Sequence, residues 1–362
     1  MRIALVHDYF VQDGGAERVV LALHRLFPDA PIFCLLNSPA HLPPGIPTSA
    51  ITPSSLQTLF PHPRLFPLLT PFMPMAAESL DLSSFDLAII SSSSFAKGVI
   101  APPQTKTLCY LHTPTRFLWE ERHVYASGRG WPRLVQPFID RAFHRLRAWD
   151  ERAAQRSDVL LTNSALSQAR IARYYGRSAD IIHPPVDLAA IPFAPKEQRD
   201  YWLTGGRLVS YKRFAIAIRA ANTLGAPLKL FGSGPEERRL RAIAGPTVEF
   251  LGSITETQKY VLLGGARGFL HPHVEDFGMT MLESLASGTP VLAYHAGGAR
   301  EVIRHQENGL FLKTSTPSAL VRAMREMEHT SFDPVRVRAS VESFALERFH
   351  ERIQQAVDTL CR

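Results

Sequence analysis

The chain has 362 residues, 45% of them apolar, which is too long for one ordinary core and suits two globular domains. Its formal charge of +7 and pI near 9.5 favour an anionic partner, but the basic residues are scattered and no nucleic-acid motif is present, so phosphorylated substrates or an anionic membrane surface explain the excess better than nucleic acid does. No apolar run is long enough to span a membrane, the start from Met1 to His7 is too short for a signal peptide, and Cys34, Cys109 and Cys361 are too dispersed for a disulfide framework or a zinc site; a reduced, cytoplasmic protein is expected.

Ile3, Ala4, Leu5 and Val6 form the continuous apolar run of a buried parallel strand. It leads through Asp13-Gly-Gly-Ala-Glu-Arg18 into a helix carrying Val19, Val20, Leu23 and Leu26. That turn is not GxGxxG, so a dinucleotide fingerprint is a poor match. Prolines crowd the apolar segment 56–75 and break long helices there, leaving a loop that either docks on a lipid surface or covers the sheet. Asp86 to Ser91 reads as a second buried strand, after which Ser92 to Ser94 supply turn and N-cap groups. A third strand from Thr107 ends at His112, where Thr113 and Pro114 stop it. The imidazole is thereby presented at the carboxyl edge of the sheet, where open α/β sheets bind ligands, although a structural hydrogen-bonding role suits a lone histidine equally.

Across residues 131–153, Val135, Phe138, Ile139, Ala142, Leu146 and Trp149 recur at helical spacing beside Arg141, Arg145, Arg147 and Arg152. The stripe fits either core packing with a solvated basic face or an interfacial helix drawn to anionic lipid. Val159 to Ser164 ends another strand, and proline and charge rise together between Ile181 and Asp200, marking a linker. Tyr201 to Arg207 opens the second domain. Arg207 and Lys212 then place two cations at a strand-to-helix turn suited to a pyrophosphate, since Arg forks onto oxygens and Lys supplies a point charge; a solvated pair is the alternative. Leu228 to Gly234, Val248 to Ile254, and Gly297, Gly298 with Glu301 repeat the strand and glycine-turn pattern. The last segment has a helical period in Phe344, Phe349, Ile353, Val357 and Leu360.

The most informative stretch runs from Gly268 to Val291. Its apolar beginning turns at Glu275-Asp-Phe-Gly278 and resumes at helical period through Met279, Leu282, Leu285 and Ala286, which predicts strand, loop and helix N-terminus. Glu275 and Glu283 are spaced by a little over two turns and are expected on nearly the same side. The backbone N–H groups of Phe277, Gly278 and Met279 begin the helix and offer donors to a hydroxyl or phosphate. First-turn acids favoured by the helix dipole would explain Glu275 and Asp276 as well, and Glu283 could be a solvated helix residue.

Glu275, seven residues and Glu283, with Glu-Asp-Phe-Gly in front and Ser-Gly-Thr-Pro-Val behind, resembles the nucleotide-sugar motif of the retaining GT-B glycosyltransferases of family 4, particularly bacterial GDP-mannose-dependent mannosyltransferases. The resemblance extends over nearly the whole chain. It implies two doubly wound, Rossmann-like parallel-sheet domains facing a cleft: residues 1–190, joined by the helix 344–362, on the acceptor side, and 200–343 on the nucleotide-sugar side. It places Gly14 and Gly15 beneath the donor diphosphate, makes Arg207 and Lys212 a phosphate clamp, and lets Ser253 and Ile254 frame the base. Glu275, with Asp276, Phe277, Gly278 and Met279, would hold the sugar, and Glu283 the ribose. His-Thr-Pro-x-Arg-x-x-Trp at residues 112–119 matches a segment in which the histidine lies against the donor sugar, which adds His112 as a catalytic residue and Arg116 on the acceptor side or behind the first ligand contacts.

What the resemblance implies is transfer of a hexose, mannose from GDP-mannose being favoured, to a saccharide or polyprenyl-diphosphate-linked saccharide in cell-surface polysaccharide synthesis. A UDP-hexose donor and a catalytically silent nucleotide-sugar-binding protein are the alternatives. Peripheral contact with the inner face of the cell membrane is a further expectation. His271 and His273 look like metal ligands, but Pro272 between them and the absence of a DxD carboxylate pair argue against an ion, so no metal or other cofactor is expected.

Overall fold

The computed structural model describes residues 1–12, 14–59, 69–120, 136–193 and 199–362. Asp13, the middle of the proline-rich segment, the start of the arginine-flanked stripe including Val135, and part of the linker lie outside the described residues. The chain divides into two compact units, Met1–Pro184 with Phe349–Arg362, and Pro185–Arg348. Each is built on one parallel sheet.

In the first unit the strands are β1 (Ile3–Phe10), β2 (Ile32–Asn37), β3 (Ile51–Pro53), β4 (Leu87–Ser92), β5 (Lys106–Leu111), β6 (Val159–Thr162) and β7 (Asp180–Ile181), in the order β3-β2-β1-β4-β5-β6-β7. Val6, Ile90, Cys109 and Leu160 pack into one core with Met73, Phe95 and Ile171, and every residue of β4 is buried, as expected for a strand covered on both faces. From Phe349 onward the last helix, Leu346–Leu360, belongs to this unit: Phe349 packs edge-on to Tyr110, and His350 Nε2 lies 2.9 Å from the Ala22 carbonyl.

The second unit contains β8 (Tyr201–Gly205), β9 (Leu228–Phe231), β10 (Val248–Gly252), β11 (Ala266–His271), β12 (Val291–Tyr294) and β13 (Gly309–Leu312), ordered β10-β9-β8-β11-β12-β13. Its side chains alternate between two cores. Leu203, Phe269 and Ala293 meet Met281 and Leu285 on one face, while Trp202, Leu270 and Leu292 meet Ile218 and Leu320 on the other.

In both sheets the strand order reverses once beside the first strand, between β1 and β4 and between β8 and β11. Successive crossovers there leave toward opposite sides, so the carboxyl ends of that strand pair open a crevice suited to a ligand. Sequence neighbours at these two places therefore matter most.

Several expectations are modified. Ser92 to Ser94 lead into the expected turn, but Phe95 holds the N-cap of the 3-10 turn Ala96–Gly98; the serines hydrogen-bond to Asp8, and Ser92 Oγ also accepts the Lys97 amide at 3.2 Å. Glu275 stands in the mouth of the loop ahead of the helix Met279–Ala286, as expected, but because helical geometry begins at Met279 the eight-residue spacing to Glu283 is not two turns of one helix. The stripe from Phe138 to Trp149 lies on the helix Gln136–Ala154, but Phe138 is 74% exposed and the buried residues of that helix are Asp150, Ala153 and Ala154. Arg147 is not a solvated charge: its Nε donates to the Leu118 carbonyl at 2.6 Å and its guanidinium lies over Trp119. In the proline-rich segment Leu69 and Met73 enter the core, while Phe72 and Met75 face outward.

Candidate functional site

The second unit assembles a charged cluster at its strand-order reversal. After β8, Gly206, with φ 126°, turns the chain, Ser210–Lys212 forms one 3-10 turn, and Arg213 takes a left-handed conformation, φ 49°, before the helix Phe214–Leu224. After β11, the chain passes His273 and Glu275 to Gly278, whose φ of 96° suits glycine and lets the Met279–Ala286 helix start abruptly. Gly297 and Gly298 clamp that loop from β12. The Gly298 amide donates to the Glu275 carbonyl at 3.1 Å, and a Cβ on Gly298 would run into the backbone of Phe277.

The two turns meet in an ion pair, Lys212 Nζ to Glu275 Oε1 at 2.6 Å, with both side chains largely buried. Burial by itself would raise the Glu275 carboxyl, but the Lys212 ammonium overrides it and holds the group well below the usual carboxylate range. Burial likewise opposes the Lys212 charge, and Glu275 overrides that in turn, raising the ammonium's pKa. The pair is therefore a pre-charged device: a fixed cation beside a fixed anion, each holding the other ionised.

His271 and His273 lie behind it. Their ring centroids are 3.9 Å apart, so Pro272 does not separate them, and His273 Nε2 is 3.4 Å from Glu275 Oε1. Burial keeps both imidazoles neutral by depressing their pKa values.

Glu283 occupies a different setting. It is 1% exposed in the second turn of its helix, and Lys259 Nζ, from the helix Glu256–Gly265, reaches both of its oxygens at 2.9 Å. Sequence reading missed Lys259; a single lysine in a short helix of mixed polar and apolar residues gives no signal of a buried ion pair. Arg207 is exposed in the same turn region as Lys212, Asp276 is partly buried, and Phe277 is 3% exposed against Phe344. Ser253 is exposed, with its hydroxyl donating to Ser233 Oγ at 3.1 Å, and Ile254 packs at the rim of the core.

His112 belongs to the first unit. It follows β5 immediately, is 8% exposed, and its Nε2 is 2.9 Å from Ser91 Oγ at the end of β4. Burial, with His7 nearby, lowers its pKa to about 3, so it is a neutral hydrogen-bonding group and not an imidazolium. The following turn is pinned by Asp150. Its carboxylate accepts from Thr115 Oγ1 at 2.7 Å, Trp119 Nε1 at 2.7 Å and the Tyr175 hydroxyl at 2.6 Å, and pairs with Lys97 at 2.6 Å, all without solvent contact for Asp150. Arg116 opens the short helix Arg116–Trp119 that this network holds.

Asp8, near the end of β1 beside the strand-order reversal of the first sheet, is buried. Its carboxylate accepts the amides of Ser93, Ser94, Phe95 and Ala96 at 2.5 to 3.0 Å and the hydroxyl of Ser93 at 3.0 Å. Burial would raise its pKa, yet His7 and these amides lower it. Gly14 has extended backbone, φ −158°, and precedes Gly15 at the start of the helix Gly15–Leu26; a Cβ on Gly14 would crowd Glu17. Cys34 and Cys109 are buried, and burial pushes their thiols up to about 12, which makes them inert.

Residues 13–190 match the model of Glycosyltransferase Family 4, and residues 190–342 that of Glycosyl transferases group 1. The chain is 28% identical over 226 residues to glycogen synthase of Mycobacterium tuberculosis, covering 57% of this chain and 53% of that protein. It is 29% identical over 136 residues to O-antigen chain mannosyltransferase C of Escherichia coli, covering 35% of this chain and 37% of that one. The chain thus spans about half the length, or less, of these curated relatives in its matched region. In three dimensions it resembles Anabaena HepE, crystallised with UDP and glucose, with a TM-score of 0.70 at 17% identity over 99% of both chains. The two parallel sheets with helices on both faces are the GT-B fold, and the chain belongs to the GT-B glycosyltransferases of group 1 and family 4.

Proposed function

We propose that the protein is a retaining hexosyltransferase that moves mannose from GDP-mannose to a saccharide or polyprenyl-diphosphate-linked saccharide, forming an α-linkage in cell-surface polysaccharide synthesis at the cytoplasmic face of the membrane. The observation that carries this reading is the Lys212–Glu275 ion pair at the strand-order reversal of the second sheet. A donor needs both halves of such a pair: a cation for the departing diphosphate and a carboxylate to accept hydrogen bonds from sugar hydroxyls. The mannosyltransferases among the relatives favour the donor named.

In this mechanism Lys212 and the exposed Arg207 take the diphosphate oxygens, and their attraction strengthens as the sugar bond breaks and charge accumulates on the leaving group. The amides of Gly278 and Met279 begin a helix and add positive potential there. Glu275 holds the sugar and Glu283 the ribose. His112 is assigned to the donor sugar as a neutral donor or acceptor of hydrogen bonds. Retention follows from same-face displacement, in which the leaving diphosphate takes the acceptor proton. The reaction so written uses no metal.

A thermal-shift panel of GDP, UDP, ADP and their sugars tests the proposal, because stabilisation grows with the logarithm of occupancy. GDP and GDP-mannose should raise the melting temperature most. A larger shift with UDP-hexoses overturns the donor assignment, and absence of sugar transfer with every donor across a panel of saccharide and lipid-linked acceptors overturns the enzyme reading.

A further inference from the structure

His271 closes β11, and both its ring and that of His273 are 2% exposed. Among the described residues, neither His271 Nε2 nor either nitrogen of His273 meets a hydrogen-bond partner. Buried polar nitrogens are normally satisfied, and two of these three, His271 Nε2 and His273 Nε2, face one carboxylate. His273 Nε2 is 3.4 Å from Glu275 Oε1 and His271 Nε2 is 3.9 Å from Oε2. One ligand atom from each of the three residues falls within 4.8 Å of the others. A tetrahedral ion with bonds of about 2.0–2.1 Å holds its ligands roughly 3.4 Å apart, so one edge of this triangle already has the required length and small side-chain rotations close the rest. Two neutral imidazoles and one carboxylate suit zinc, cobalt or nickel, whereas magnesium and calcium require oxygen ligands.

We propose that His271, His273 and Glu275 bind a divalent ion of the zinc, cobalt and nickel class, in competition with Lys212 for the Glu275 carboxylate. Lys212 Nζ now occupies Glu275 Oε1 at 2.6 Å, and a divalent ion at that oxygen would have to drive the ammonium away. The binding claim rests on the three ligands and their competition with Lys212, not on the transferase reading. The consequence for catalysis rests on the transferase reading: an ion there takes the sugar-holding carboxylate and dislodges the diphosphate lysine, so it inhibits.

The test titrates the metal-free 362-residue chain with Co2+, followed by its visible absorption, and with Zn2+ by calorimetry. One equivalent should bind. His273→Gln and His271→Gln should each weaken binding about tenfold or more, as loss of groups at a metal centre does. Lys212→Ala should tighten it, because the competing cation is gone. No saturable binding, unchanged affinity in the histidine variants, or unchanged or weaker affinity in Lys212→Ala overturns the site. Should a histidine variant fail to fold, the wild-type cobalt spectrum and Lys212→Ala decide. Stoichiometric binding that leaves sugar transfer untouched retains the site and overturns the role of Lys212 and Glu275 in transfer.

Discussion

Lys259 Nζ stands 2.9 Å from both carboxylate oxygens of Glu283, and the two side chains are almost wholly withdrawn from solvent. Removing one partner of a buried pair strands the other charge. Lys259→Ala should therefore cost about 3–5 kcal/mol in denaturant unfolding, whereas Lys259→Met with Glu283→Leu should cost much less. Equal losses in the single and double variants would mean that packing, not charge, holds the two helices. Glu283→Gln should weaken nucleotide binding by about 1.5–3 kcal/mol if the carboxylate also serves the ribose; unchanged affinity for the free nucleoside diphosphate would remove it from the site.

The leaving-group role of Lys212 predicts a loss of turnover more than of binding. Lys212→Ala should lower kcat about a hundredfold or more, the scale of one preorganised electrostatic partner. Arg207→Lys should be impaired too, because an ammonium does not fork onto two oxygens. A rise in KM with kcat intact would show that the pair only holds the donor.

Asp8 satisfies four backbone amides at the end of β4. Asp8→Ala leaves those donors buried and unpaired, and should destabilise the first unit by about 3–5 kcal/mol given a cost of about 1–3 kcal/mol for each unsatisfied group and incomplete additivity. Stability within 1 kcal/mol of wild type, an outcome of about that size in urea unfolding, would mean that water replaces the carboxylate.

His112 titrates near 6.5 when unfolded and at about 3 when folded, because burial disfavours the imidazolium. Between those values the unfolded chain binds a proton that the folded chain does not, so stability falls as pH falls through that window, by up to about 1.4 kcal/mol per pH unit for this group. His112→Gln should flatten the acid limb of a stability–pH curve. An unchanged slope would assign the acid sensitivity to other groups, His7 and Asp8 among them.

The interfacial reading of the Gln136–Ala154 helix now rests on Phe138, Arg141 and Arg145, which are exposed, and no longer on Arg147. Reversing Arg141 and Arg145 should reduce co-sedimentation with anionic liposomes by roughly 1 kcal/mol per residue. A wild-type chain that does not sediment with such vesicles refutes the reading.

By itself the sequence determined the elements whose pattern is local. Ile3 to Val6, Leu87 to Ser91 and Gly268 to Leu270 are strands because continuous apolar runs suit a sheet covered on both sides, and Gly278 marks a helix start because its backbone conformation is one that few other residues tolerate. It also brought out Arg207, Lys212 and Glu275 as charges placed at strand-to-helix turns, with Glu283 farther along the helix. Only the tertiary structure decided which charge meets which. Lys212 and Glu275 are far apart in the chain and come within 2.6 Å because β8 and β11 are neighbours in the sheet, and no local periodicity encodes that adjacency. The same holds for Lys259 with Glu283 and for Asp8 with the amides after β4. Burial, too, is a property of the packed fold: it makes His112 neutral, draws Arg147 out of the basic face, and sets His271 against His273 despite the proline between them.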